Sequence, residues 1–202
     1  MAIRELTEHP LGITWAMREA MLRTSHALAH EGRVWLIDPV DEPEAMERAA
    51  ALGEPAGVLQ LYMAHNRDSA AVAKRLGVPF HKLPDVLPDS PFSVLNIDLA
   101  FWRERALWWP QHRALVVPES IGTGPAFAVG SGPAGVHPLR RVMPPMSLKS
   151  FVPEHLLVGH GPPLHGSDAA AGLLDALNRS RRDIPTFVVK LPSIIRRIRG
   201  SS

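Results

Sequence analysis

Residues 57–80 read GVLQLYMAHNRDSAAVAKRLGVPF, and this stretch decides which fold the chain can adopt. The short apolar run at 58–63 predicts a buried strand. A polar segment at 65–69 follows, and after it comes an amphipathic helix that Gly77 ends. A second short strand is predicted at 78–80. Together these elements predict a βαβ unit, in which side chains at the carboxyl end of the first strand line a ligand site.

The polar residues of this turn follow an order that resembles a motif of the metallo-β-lactamase superfamily. That family places His-x-His-x-Asp-His between an apolar strand and a helix, and the motif binds metal ions. Here Asp68 holds the aspartate position. Counted from Asp68, the histidine positions are occupied by Ala64, Asn66 and Ser69, while His65 lies one residue out of register. The resemblance therefore implies the scaffold of the motif without most of its metal ligands.

An early hairpin is a second point of resemblance. Residues 24–29 and 33–37 predict two strands around a Gly-containing turn, and Asp38 follows the second strand. In the superfamily an aspartate after such a strand supports the metal-binding loop without being a ligand itself, and Asp38 matches that position. The sequence equally predicts a turn or N-cap aspartate ahead of a helix at 43–52. The two roles are compatible.

Residues 92–99, 105–109 and 114–117 predict strands of a second sheet. In the superfamily the last of these leads to a Gly-Asp pair whose aspartate bridges two metal ions. The equivalent pair here is Pro118-Glu119, so a carboxylate remains on a side chain one methylene longer. The Gly-His-Thr-Pro-Gly type of loop, which supplies another histidine in the family, has no counterpart in this sequence.

A glycine-rich turn near the end of the chain carries the most specific resemblance. Residues 156–158 predict a short buried strand, and Gly-His-Gly-Pro follows at 159–162. This matches a late Gly-His-Gly turn of the superfamily, in which the histidine is the last metal ligand. His160 is that residue here, and a hydrogen-bonded structural histidine is the alternative. A helix at 168–182 is predicted to follow.

The resemblance implies an α+β fold, a four-layer αββα sandwich of two mixed β-sheets. It is expected to form one domain at residues 1–190, followed by a basic amphipathic tail at 191–202. The Gly- and Pro-rich segment 120–145 predicts a long ordered loop or a short helix-and-loop excursion. Residues far apart in the chain are expected to converge in one cleft between the sheets, namely Asp38, Asn66, Asp68, Glu119 and His160.

Composition narrows the class of protein. The chain has 202 residues, no Cys and an apolar content of 46%, which predicts a globular core without disulfides or thiolate metal sites. No apolar leader and no membrane-length apolar run is visible, so a cytoplasmic location is the default expectation. A Ser nucleophile elbow and a Gly-rich phosphate loop are also missing.

The carboxyl-terminal segment is strongly basic. From Arg179 onward the sequence holds seven Lys or Arg residues and one Asp. Isoleucines and arginines interleave at 192–199, which predicts a short basic amphipathic helix that begins near Pro192. Such a helix either packs its isoleucines on the body of the protein or binds an anionic surface, which could be a membrane or a nucleic acid.

Three functional hypotheses follow. The first is a degenerate superfamily member that binds a small molecule or a protein partner in the old active-site cleft without hydrolysis. The second is a hydrolase with an altered, single-metal site that acts on an ester, thioester or phosphoester. The third is a nucleic-acid or membrane-surface module led by the basic tail. Carried over from the family, the vestigial metal positions are Asp68, His160, Glu119 and Asn66, with Asp38 and His65 supporting them.

This ligand set argues against the two-metal mechanism, in which one ion activates water and the other holds the leaving oxygen. One imidazole and two carboxylates suit a loosely held Mg, Mn or Fe ion better than tightly bound zinc. No tightly bound cofactor is therefore expected, and one zinc, manganese or iron ion is the alternative.

Overall fold

The computed structural model describes residues 2–200. The chain divides into two compact units, each with its own internal contacts. The first unit comprises Met1–Arg18 and Thr24–Leu107, and the second comprises Glu19–Arg23 and Trp108–Ser202. Among the described residues, no helix is both long enough and apolar enough to cross a membrane.

A six-stranded mixed sheet forms the centre of the first unit. Its strands lie in chain order, β1 Ile3–His9, β2 Gly12–Met17, β3 Thr24–His30, β4 Arg33–Ile37, β5 Glu54–Gln60 and β6 Phe80–Lys82. The first four strands pair antiparallel, and β4, β5 and β6 pair parallel. The hairpin predicted at 24–29 and 33–37 is therefore confirmed as β3 and β4.

Two helices make the crossovers between the parallel strands. Helix α1, Pro43–Ala50, connects β4 to β5, and helix α2, Ser69–Leu76, connects β5 to β6. Their apolar faces bury residues such as Ala45 and Val72 against the sheet side chains of the same core. Helix α2 ends at Gly77 in the left-handed conformation, with φ of 67°. The predicted βαβ unit is thus confirmed.

The first strand of that unit, β5, begins and ends earlier in the chain than the sequence predicted. The apolar run at 58–63 predicted its position, but β5 ends at Gln60. At that point the backbone N–H of Leu61 donates to the Asp38 carboxylate, at 3.1 Å. The end of β5 thus coincides with a polar contact to a residue distant in the sequence.

The amino-terminal hairpin was not predicted from the sequence. Strand β1 carries charged residues at an exposed edge of the sheet, whereas all six residues of β2 are buried. Charged side chains are common on edge strands because they discourage pairing with other chains. The same polarity makes β1 look like a loop in the sequence.

Short strands and two helices form most of the second unit. Its strands are β9 Ala114–Val117, β10 Ile121–Gly122, β11 Gly135–Val136, β12 His155–Val158 and β13 Leu164–His165. With β7 Ser93–Asn96 and β8 Arg105–Trp109, a five-stranded sheet has the order β13-β12-β9-β8-β7. The strands predicted at 105–109 and 114–117 are confirmed at the same bounds.

The carboxyl-terminal helices differ from the prediction in length. Helix α3 covers Ser167–Arg179 and helix α4 covers Asp183–Gly200, with Pro192 inside α4 rather than at its start. The predicted short helix at 192–199 is therefore the second half of a longer one. The domain boundary expected after residue 190 falls within α4, and the division into domain and tail stays a prediction.

A pair of histidines on β12 and β13 makes the stability of this sheet dependent on pH. His155 and His165 face each other across the antiparallel pair, with their Nδ1 atoms 2.8 Å apart. Burial lowers the pKa of both imidazoles, and the neighbouring charges are Glu154 and His112. One ring must donate and the other accept, so protonation of both rings breaks the bond.

We expect the free energy of unfolding to fall as the pH drops below about 6.5, the ordinary pKa of histidine. The unfolded chain takes up these protons at a higher pH than the folded chain, so acid favours unfolding. Urea denaturation between pH 5 and pH 8 should show a smaller fall in the double variant His155→Gln/His165→Gln. His81→Gln, at a partly exposed histidine of β6, should keep the wild-type slope. Equal slopes in all three proteins would contradict the assignment.

Candidate functional site

The parallel pairing of β9 with β12 brings two predicted site residues together. Val117 is the register partner of Val158 at the carboxyl ends of these strands. Glu119 and His160 each lie two residues beyond that pair, so their side chains meet. Oε2 of Glu119 is 2.9 Å from Nε2 of His160, and both side chains are buried. Forty-one residues of sequence thus separate two groups that share one hydrogen bond.

The orientation of His160 is fixed from three directions. Its Nδ1 atom lies 2.9 Å from the backbone carbonyl of Met21. The ring of Phe127 stacks on the imidazole, with centroids 5.2 Å apart and planes inclined by 20°. After it the chain turns sharply at Gly161, where φ is 98° and a Cβ atom would lie 2.4 Å from the backbone nitrogen of Gly124. Only glycine is therefore accommodated at this turn.

A second histidine, which the sequence did not single out, holds the other oxygen of Glu119. Nε2 of His137 lies 3.3 Å from Oε1 of Glu119. Nδ1 of His137 accepts the backbone N–H of Leu139, so the proton of the neutral ring is on Nε2 and points to the carboxylate. Burial lowers the pKa of His137 to about 4, which keeps this ring neutral at neutral pH. His137 lies just after β11, within the segment predicted as a loop.

The hydrogen bonds around His160 determine what lies between its ring and Glu119. Because Nδ1 faces a carbonyl oxygen, it must carry a proton and donate. Nε2 would then present a lone pair to a carboxylate oxygen 2.9 Å away, which is repulsive. A second proton or a cation between the two atoms removes that repulsion. The Glu119–His160 pair therefore shares a second proton or is half of a metal site.

The first unit contains its own buried carboxylate–imidazole pair. Asp38 follows β4 with φ of 45°, a left-handed conformation that Asp tolerates better than most residues. Its Oδ1 accepts the N–H of Leu61, and its Oδ2 lies 2.9 Å from Nδ1 of His65. Nδ1 of His65 is the donor in this contact if Asp38 is ionised. The proton of His65 is then on Nδ1, the arrangement in which Nε2 can bind a metal ion.

Arg67 stabilises the loop that carries the Asp38–His65 pair. Its guanidinium donates to the backbone carbonyls of Thr24 and Asp38, at the ends of β3 and β4. The side chain of Ser25 adds a bond to the carbonyl of Asp38, at 2.8 Å. The backbone around Asp38 is therefore held by side chains from two other parts of the first unit.

Two turn residues that the family resemblance gives as vestigial ligands, Asn66 and Asp68, are exposed. Oδ2 of Asp68 accepts the backbone N–H of Asp41, at 2.9 Å, so this carboxylate links the residue before α2 to the segment just before α1. Ser69, at a family histidine position, is buried with 1% of its surface exposed.

The functional assignments of these residues stay predictions. The structure brings Glu119 together with His160, and Asp38 together with His65. The expected convergence of the five dispersed residues in one cleft is likewise a prediction.

The number of ligand atoms that converge within each unit limits how tightly that unit could hold a metal ion. A structural zinc site has four ligands, and a catalytic one usually has three protein ligands with an open position. Within either unit alone, the described residues offer no group of three ligand atoms close enough to share one ion. Nε2 of His160 with Oε2 of Glu119 supplies two donors. Such a pair fits one weakly held ion and does not fit a tight two-metal centre.

Solved structures with this architecture are metallo-β-lactamase-fold proteins. The DIM-1 metallo-β-lactamase exposed to ceftazidime aligns with a TM-score of 0.60 and 11% identity, over 92% of this chain and 99% of that one. FIM-1 from Pseudomonas aeruginosa, in a mono-zinc form, has a TM-score of 0.59 and 8% identity, over 90% and 97% of the two chains. TTHA1623 in a di-iron-bound form has a TM-score of 0.54 and 18% identity, over 77% and 93%.

These likenesses show the fold, and the predicted α+β class with two mixed sheets, the αββα sandwich, is confirmed. No protein-family model matches the sequence, and no curated protein matches it. Identities of 8–18% are too low to carry over an activity.

Asp38→Asn tests the carboxylate–imidazole pair of the first unit. The amide keeps an acceptor for Leu61 but loses the negative charge that His65 contacts. We expect urea denaturation to show a loss of about 1–3 kcal/mol in the free energy of unfolding. The matched control is Asp89→Asn, because Asp89 is exposed and also has a positive φ, of 55°. A loss of equal size in both variants would contradict the role of Asp38.

Proposed function

We propose that this metallo-β-lactamase-fold chain binds a small molecule or a protein partner at a degenerate metal site, without two-metal hydrolysis. One observation carries the proposal. Both oxygens of Glu119 are engaged by imidazole nitrogens, those of His137 and His160, at 3.3 and 2.9 Å. The carboxylate at the position that bridges metals in the family is thus held by the protein itself.

The turn after β5 supports the same conclusion. Hydrolysis by two ions requires ligands that hold both the attacking water and the leaving oxygen. The family's histidine positions hold Ala64, Asn66 and Ser69, none of which is a good ligand for a transition metal. His65 restores one imidazole in this part of the first unit, backed by Asp38.

The buried groups of the second unit are suited to recognition of a polar ligand. Glu119 and His160 follow strands whose residues are otherwise apolar and buried, Val116, Val117, Leu157 and Val158. Polar groups fixed in apolar surroundings orient a ligand through a few directional hydrogen bonds. His137 and the Met21 carbonyl already hold both groups in place, so ligand binding costs little further side-chain freedom.

The contact between His160 and Glu119 requires a second proton or a cation, and this favours a second candidate function, a hydrolase with a single metal ion. His160 and Glu119 would hold a zinc, manganese or iron ion through Nε2 and Oε2. When bound, such an ion polarises a scissile ester, thioester or phosphoester bond and acidifies water. His137 would keep Glu119 oriented through Oε1, and Met21 would keep the Nδ1 proton of His160 in place.

Metal content and activity distinguish the two candidates. We expect purified protein to carry less than one zinc per chain by elemental analysis, because among its described residues the second unit offers no group of three ligand atoms that could share one ion. A panel of lactam, thioester and phosphodiester substrates should show no chelator-sensitive hydrolysis, with or without added zinc or manganese. His160→Ala and the control His81→Ala should then have equal metal content.

The single-metal hydrolase predicts a different result. Stoichiometric metal, with hydrolysis abolished by a chelator and by His160→Ala but retained in His81→Ala, would overturn the non-hydrolytic proposal. The control is suitable because His81 lies on β6 and is only partly buried.

A further inference from the structure

Helix α4 has an apolar face that follows the helical repeat. Over its 18 residues, apolar side chains recur at intervals of four and three positions. At 100° per residue they fall within an arc of about 120°. Seven side chains make up this face, namely Ile184, Phe187, Val188, Leu191, Ile194, Ile195 and Ile198.

Three of the seven side chains are exposed, and the other four are only partly buried. Asp183 is the one buried residue of α4 among those described. Val188 is 59% exposed, and Ile195 and Ile198 are each 38% exposed. Pro192 lies inside the helix and cannot donate to the carbonyl of Val188, so local hydrogen bonding does not favour the helix at this point. A surface that covers the apolar face would stabilise α4.

Four of the remaining positions of the helix are basic, and one is acidic. Lys190, Arg196, Arg197 and Arg199 lie outside the apolar arc, and Asp183 is the single acid. That acid is neutralised, because Arg179 contacts both of its carboxylate oxygens, at 3.0 and 2.9 Å. The exposed charge of α4 is therefore entirely positive.

A neighbouring segment of the second unit extends this surface. Leu139, Val142, Met143 and Met146 are between 47% and 71% exposed. The segment contacts the start of α4, because the Arg141 guanidinium lies over the ring of Phe187, 5.0 Å from its centroid. Just before α4, the guanidinium of Arg181 donates to the carbonyl of Val142, at 3.0 Å. Exposed apolar side chains thus lie next to Arg181 and Arg182, both exposed.

We propose that α4 binds the surface of a membrane that contains anionic lipids, and lies in the plane of the interface. Exposed apolar residues on one face with basic residues on the others are typical of interfacial helices. The apolar face would enter the acyl boundary, and Arg196, Arg197 and Arg199 would contact lipid phosphates, whereas Lys190 donates to the carbonyl of Val129. This inference is independent of the function proposed for Glu119 and His160.

Other occupants of this face fit less well. A second copy of α4 packed along the apolar stripe would bring arginines against arginines, with only the neutralised Asp183 to oppose them. A nucleic acid would contact the basic side chains and leave the isoleucines exposed to water. The helix does not span the membrane, since among the described residues none is long and apolar enough.

Vesicle flotation of the full chain tests the proposal. We expect binding to phosphatidylcholine vesicles with 30% phosphatidylglycerol to be at least tenfold tighter than to pure phosphatidylcholine, and to weaken as salt is raised. Val188→Asp and Ile195→Asp should each reduce it at least tenfold. The matched control is Val189→Asp, because Val189 is 79% exposed but lies outside the apolar arc, and it should bind like wild type. Arg197→Glu should weaken binding more than Arg4→Glu, at an exposed arginine of β1.

A fluorescence measurement keeps the proposal testable if a variant fails to fold. The chain has no Cys, so Ile195→Cys and Val189→Cys each create a single labelling site. An environment-sensitive dye at position 195 should shift to the blue on anionic vesicles, whereas the dye at 189 should not.

Three results would overturn membrane binding. The first is equal affinity for neutral and anionic vesicles, or none for either. The second is a concentration-dependent dimer that Val188→Asp abolishes. The third is binding to an anionic polymer that depends on Arg197 but not on Ile195.

Discussion

The contact between His160 and Glu119 is the interaction on which the rest of the candidate site depends. Both side chains are buried, and their nearest atoms are 2.9 Å apart. Removal of one partner of a buried ion pair typically costs about 3–5 kcal/mol, because the other charge is left without compensation. The parallel register of β9 and β12 creates this contact, and the sharp turn at Gly161 and the Met21 carbonyl orient the ring. His137 contacts the second carboxylate oxygen of Glu119.

The first unit also contains a carboxylate–imidazole contact, in which the carboxylate of Asp38 orients the ring of His65. In each unit a carboxylate fixes the position of an imidazole, and the backbone supplies a further hydrogen bond. These are the supporting contacts that metal-binding histidines generally require. Each unit thus holds one imidazole in a fixed orientation through a buried carboxylate. Asp68 is exposed, and its carboxylate accepts the backbone N–H of Asp41.

Local patterns predicted much of this molecule. The βαβ unit around α2, the hairpin of β3 and β4, and the strand β9 follow from apolar runs and glycine-containing turns. The pairing of Glu119 with His160 was expected only from the family resemblance, because nothing in the spacing of the two residues reveals the parallel register. His137 was missed for a similar reason. Its position depends on β10 and β11, two strands of two residues each, inside a segment rich in Gly and Pro. The start of α4 was predicted at Pro192 because proline is favoured in the first turn of a helix, but this proline lies within α4.

Glu119 and His160 are proposed not to form a tight zinc site, and the ring-nitrogen resonances of His160 test this most directly. In chelator-treated protein labelled with ¹⁵N, both ring nitrogens of His160 give resonances, and Nδ1 should have the chemical shift of a nitrogen that carries a proton, because it faces the Met21 carbonyl. His160→Gln supplies the assignment. One equivalent of zinc should leave these shifts unchanged. An Nε2 resonance that moves to the chemical shift of a metal-bound nitrogen when one equivalent of zinc is added would contradict the proposal.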